Sequence, residues 1–153
     1  LEHEEDYEHG ITFIDDGTPV GGADAKEVVC RFSAGKSTTF TYNADSETYR
    51  LRQFSRDFID ANDNSHPSFT NILILKTSVT AIRGDYAGRR NIVTVGEGEG
   101  YFVCGGKYIE INWFRENKES PFYYTLKDDT PLELGRGKTF ICVIPTNMDA
   151  TFN

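Results

Sequence analysis

The chain has 153 residues and a mass of 17.3 kDa, enough for one domain, and 38% hydrophobic with 26% charged residues places it among chains that fold rather than stay disordered. Its longest apolar runs are of four or five residues, which excludes a membrane-spanning helix, for which about 20 are needed. The net charge of −8 excludes a basic nucleic-acid-binding face and disfavours binding to an anionic membrane surface.

Five of those negative charges fall in residues 1–9, where Glu2, Glu4, Glu5, Asp6 and Glu8 stand without a Lys or Arg. His3 and His9 lie among them, and a frayed acidic terminus is expected there rather than a metal site. Beginning at Leu1 without Met, signal peptide or lipid-attachment cysteine, the chain reads as a fragment or mature piece of a longer protein.

From there on the chain has the period-2 alternation of strands. Residues 26–33 set Val28, Cys30 and Phe32 on one face, and 38–42 set Phe40 and Tyr42 together. Residues 49–52 put Tyr49 and Leu51 on one face and Arg50 and Arg52 on the other, with a hairpin loop predicted between at Asn43 to Glu47. Ile72 to Leu75 is a short continuous apolar run, which suits a strand buried on both faces. Residues 107–114 alternate Ile109, Ile111 and Trp113 against Tyr108, Glu110 and Asn112. Gly105-Gly106 just before them is a two-residue hairpin signal, because both positions accept positive φ. Lys127 to Thr130 and Gly135 to Lys138 predict further turns, and Phe140 to Ile144 is a second continuous apolar run. No segment keeps helical apolar spacing over three turns. The predicted fold is mainly β, with α+β as the alternative: an antiparallel sandwich or strongly bent sheet of about nine strands with few or no helices.

Other strings bear on chemistry. The segment 55–71 is long, polar and irregular, the kind of loop on which binding tends to sit. Within it, Asp60-Ala61-Asn62-Asp63-Asn64 resembles a cadherin calcium linker, but the companion acidic motifs and the leading strand are missing. A polar turn whose side chains cap their own backbone is the reading preferred. Arg83-Gly84-Asp85 matches an integrin tripeptide and is read as an exposed turn. Gly96-Glu97-Gly98-Glu99-Gly100 is not a phosphate loop, since no helix follows and two Glu would repel phosphate. It is expected to be a flexible or bulged connection before a strand at 101–104. Cys30, Cys104 and Cys142 each sit in an apolar run with no His nearby, so they are expected to be buried and not to bind metal. A disulfide between two of them stays open.

Several strings, in order, resemble the C-terminal domain of the YerB-like lipoproteins, a bacterial family of unknown function. Phe40-Thr41-Tyr42-Asn43 followed by Glu47-Thr48-Tyr49-Arg50 is similar to the family's first hairpin. Asp60 and then Asn71-Ile72 are similar to its Asp and its Asn at the start of a buried strand. The Gly-rich turn 96–100, Gly105-Gly106-Lys107 with Trp113 six residues on, Pro121-Phe122, Leu132-Glu133-Leu134 and the run 137–145 complete the order. The resemblance divides the chain into an acidic segment with a connecting strand (1–25), the β-domain (26–147) and a tail (148–153). It implies an extracytoplasmic domain, membrane-tethered through a lipidated cysteine outside this chain, and it supplies no catalytic residues.

Two functions are weighed. The first is a non-enzymatic binding or interaction module. Its partner would be its own missing N-terminal domain, a cell-wall polymer or another envelope component, and no cofactor, metal or nucleic acid is expected. The candidate surface is Arg50, Arg52, Asp60 and Asn71, with Tyr49 and Trp113 as nearby aromatics. Set against it, Asp60 and Asn71 would merely brace the backbone and Trp113 would pack in the core. The alternative is a cell-wall or carbohydrate-active enzyme using a pair of carboxylates from Asp57, Asp60 and Asp63, one of which would need a raised pKa.

Overall fold

The computed structural model describes residues 9–54 and 56–153. The acidic run Glu2 to Glu8 and His3 lie outside them. In chain order the strands are β1 (Thr12–Ile14), β2 (Ala23–Asp24), β3 (Glu27–Ser33), β4 (Lys36–Asn43), β5 (Thr48–Gln53), β6 (Arg56–Asp57), β7 (Ser68–Phe69) and β8 (Asn71–Thr77). Then follow β9 (Val79–Ala81), β10 (Arg90–Ile92), β11 (Gly96–Cys104), β12 (Lys107–Arg115), β13 (Tyr123–Leu126), β14 (Glu133–Gly135), β15 (Thr139–Pro145) and β16 (Ala150–Phe152). No helix occurs among the described residues. The strand count exceeds the expected nine because several strands are only two or three residues long.

Two sheets dominate. The first has the order β16-β3-β4-β5-β6, with β7 also on β5; the second has the order β13-β12-β11-β8-β15, with β2 on the end of β12. Pairing is antiparallel except for β8 with β15 and β1 with β14, which are parallel. The tail contributes β16, which pairs with β3.

The alternation in the sequence decides which face meets which. One core lies between the two sheets: Val28, Cys30, Phe40, Tyr49 and Leu51 meet Ile72, Ile74, Val103, Cys142 and Ile144. The other core lies behind the second sheet: Leu73, Leu75, Phe102, Ile111, Trp113 and Tyr124 pack under Leu132 and Leu134. The run Ile72 to Leu75 therefore feeds both cores, as a continuously apolar central strand should. The three cysteines are buried thiols. The facing Cys30 thiol, and then burial, push the Cys142 thiol far up, and burial pushes Cys104 up to about 11.

The Gly-Glu repeat corrects an expectation. Residues 96–100 are not a loose connection but the first half of β11, paired with β12 along its whole length. The glycines are there for close approach. A Cβ on Gly98 would stand 2.6 Å from Trp113 Nε1, and one on Gly100 would overlap the Ile74 carbonyl oxygen. The predicted hairpin at Gly105-Gly106 is present, with φ of 58° and 77°, the two positive values of a tight hairpin turn.

Two buried polar side chains tie the layers together. Tyr49 donates its hydroxyl to the Ala25 carbonyl at 3.1 Å and accepts from the Gly106 N–H at 3.0 Å. Asn71 donates to the Gly135 carbonyl at 2.7 Å and accepts from the Gly135 N–H at 2.9 Å. Removing the Asn71 carboxamide leaves the Gly135 carbonyl without this partner and its N–H with only the Cys104 sulfur beside it, so Asn71→Ala is expected to cost roughly 2–4 kcal/mol, read as a lowered urea midpoint.

The buried phenols give a pH dependence. Burial, ahead of all other causes, raises Tyr49, and raises Tyr101 and Tyr124 to about 12 each. The unfolded phenol titrates near 10, so folding favours the protonated form. That contribution is complete below about pH 10 and is lost as pH rises toward 12. Stability measured across this range is expected to fall steeply, and less steeply in Tyr124→Phe.

Candidate functional site

β11 and β12 are nine residues each, and only their ends near the Gly105-Gly106 turn are covered by the first sheet. On the sandwich side, Val103 and Tyr101 of β11 and Tyr108 of β12 join the inter-sheet core. Further along that face, strand register sets Glu99, Asn112 and Thr125 side by side, and then Glu97, Phe114 and Tyr123. These two rows overhang the first sheet. They line an open groove of about 470 Å³ with Asp129, and no residue of the first sheet lines it. That volume is within the usual range of ligand sites. Phe114 and Tyr123 are 46% and 40% exposed, whereas Trp113, one residue from Phe114, is 2% exposed on the opposite face.

The polar row is organised. Lys127 Nζ donates to Glu99 Oε1 at 2.9 Å and to Asn112 Oδ1 at 3.0 Å. The hydrogen bond and then the charge of Lys127 hold the Glu99 carboxyl below the usual carboxylate range. Glu97 and Asp129 make no ion pair among the described residues. A second open volume, about 460 Å³, continues past Glu97, Gly98 and Glu99 to Thr77, Ser78 and Val93. The arrangement offers an apolar aromatic pair, an amide, a hydroxyl and excess negative charge, which suits non-covalent recognition.

The six residues expected to form the site do not form one surface. Tyr49 and Asn71 are fully buried near the β11–β12 turn and serve as the clamps described above. Trp113 sits in the second core and donates its Nε1–H to the Lys76 carbonyl at 3.2 Å. Arg50 and Arg52 point outward from the first sheet, and Arg52 pairs with Asp57 at 3.2 Å. Asp60 closes its own turn, accepting from the Asn62 N–H at 2.8 Å and from Asn62 Nδ2 at 3.0 Å. Asp63 does the same for the Ser65 N–H at 2.8 Å, which lowers its pKa. Asp60 and Asp63 thus bond to their own segment, and Asp63 is shifted opposite to a general acid. In the Arg83-Gly84-Asp85 string, Asp85 is bound by Arg89 at 2.9 Å.

The groove residues were missed for an identifiable reason. Phe114 continues the polar parity of Tyr108, Glu110 and Asn112, and an aromatic side chain on the polar face of an alternating strand was the available signal. The reading of 96–100 as a linker concealed Glu97 and Glu99.

In urea titrations, Phe114→Ala and Tyr123→Ala are each expected to change stability by less than about 1 kcal/mol, while Trp113→Ala costs about 3–5 kcal/mol.

The family model described as the C-terminal domain of a protein of unknown function, DUF3048, matches residues 28–141. No curated protein matches the chain. Among solved structures, the crystal structure of the YerB protein from Bacillus subtilis is similar, with a TM-score of 0.71 at 20% identity. The match covers 92% of this chain and 46% of that one, so this chain spans about half the length of that relative.

Proposed function

Because the chain belongs to the DUF3048 C-terminal domain family, we propose that it is a non-enzymatic interaction module, extracytoplasmic and membrane-tethered through a lipid anchor outside this chain. Its binding surface is the overhang of β11, β12 and β13. The observation that carries this reading is the unpartnered sheet face itself. Phe114 and Tyr123 lie side by side in solvent, next to an ordered polar row, on strands whose other face packs into the second core. Exposed aromatics at the centre of a concave, polar-rimmed patch are the usual anchors of an interface. The loop carboxylates, by contrast, are engaged: Asp57 by Arg52 of β5, and Asp60 and Asp63 by their own turns, which favours binding over hydrolysis.

Partners in keeping with this reading are the remaining part of the longer protein and another component of the envelope. The net charge of −8 disfavours nucleic acid. Hydrogen exchange of the complete gene product in its native envelope fraction tests the reading. Amides of 96–99, 112–115 and 123–125 are expected to exchange more slowly than in a dilute, monomeric sample of this chain alone, and Phe114→Ala is expected to remove the difference. Equal exchange in both settings, or a soluble cytoplasmic product, would overturn it.

A further inference from the structure

Between β8 and β11 the chain leaves the second sheet and makes a separate hairpin of β9 and β10, which pair only with each other. Residues 80–84 and 86–93 are all exposed, including Ile82, Tyr86, Ile92 and Val93. A lone two-stranded hairpin is marginal in water and gains stability by packing. Its charges are also lopsided. Asp85 is taken up by Arg89, through its backbone N–H at 2.7 Å and its guanidinium at 2.9 Å. Arg83 and Arg90 have no ion pair among the described residues. The hairpin is therefore an apolar, positively charged arm.

The overhang groove is its complement: two exposed aromatics with the unpaired carboxylates of Glu97 and Asp129. The two surfaces share an edge, because Val93 and Ser78 at the hairpin root line the same open space as Glu97 and Glu99. A two-fold axis through that edge would lay each hairpin over the groove of the other copy and close the assembly. We infer that the occupant of the groove is a second copy of this chain, whose 79–92 hairpin binds there reciprocally. The inference rests on the overhang being an interaction surface and names its partner. Ile82, Tyr86, Phe114 and Tyr123 supply the desolvated centre, and Arg83 and Arg90 facing Glu97 and Asp129 supply register and salt dependence.

Sedimentation equilibrium from micromolar to millimolar protein, at low and high salt, tests this. The wild-type chain is expected to form a dimer that high salt weakens. Arg83→Glu with Arg90→Glu, and separately Glu97→Arg with Asp129→Arg, should each weaken it by at least about tenfold through like-charge contacts. All four positions are on the surface, so unchanged thermal midpoints will show that both variants fold. An equimolar mixture of the two variants should restore a dimer, because each arm then meets a groove of opposite charge. A wild-type chain that stays monomeric throughout, a dimer indifferent to both pairs of reversals, or variants that do not re-associate on mixing would overturn the inference. The interaction reading would then still stand or fall on the exchange experiment above.

Discussion

The buried carboxamide of Asn71 is the contact on which the second core depends. β14 does not join the ladder of the second sheet, yet it crosses the interior beside the first residue of β8. A peptide unit in that position has a donor and an acceptor to satisfy, and leaving them unpaired is costly. Asn presents a donor and an acceptor in the same planar arrangement as a peptide. Its two bonds to Gly135, with a third to Thr139 Oγ1 at 3.2 Å, hold β14 in place. From there Leu134 reaches the core and β1 gains its parallel partner. The hydroxyl of Tyr49 does equivalent work for the first core, joining the Ala25 carbonyl to the turn of the β11–β12 hairpin.

These clamps lie at one end of the β11–β12 ribbon, and the candidate site lies at the other. Near the turn, both faces of the ribbon are packed. Beyond Tyr101 and Glu110 only the Trp113 side remains covered, and the glycines at 98 and 100 let the indole and the backbone of β8 close against it. The opposite face is left open on a well-supported strand pair. A rigid backing with an exposed aromatic row suits recognition, since little ordering is required when a partner arrives.

Much of the fold was legible in the sequence. The alternation at 26–33, 38–42 and 49–52 assigned the correct residues to the inside, that at 107–114 did so for Ile109, Ile111 and Trp113 but left out Tyr108, which joins the inter-sheet core, and the unbroken Ile72 to Leu75 marked the strand shared by both cores. The candidate site was less legible. A polar residue beside a buried strand carries the same sequence signature whether it clamps a backbone or meets a ligand, and for Tyr49 and Asn71 the clamp is what the structure holds. The groove depends on how far two strands outrun a neighbouring sheet, which no local pattern encodes. The Gly-Glu repeat lacks apolar residues altogether, so its strand character comes from tertiary close approach rather than from propensity.

Native-state hydrogen exchange at the Gly135 amide tests the clamp most directly. If the Asn71 carboxamide holds β14 to the central strand, this N–H exchanges only through global unfolding, with the same free energy and denaturant dependence as the amides of β8 and β11. Exchange by a local opening, well below the global free energy and insensitive to denaturant, would contradict it and show that the second core closes without this contact.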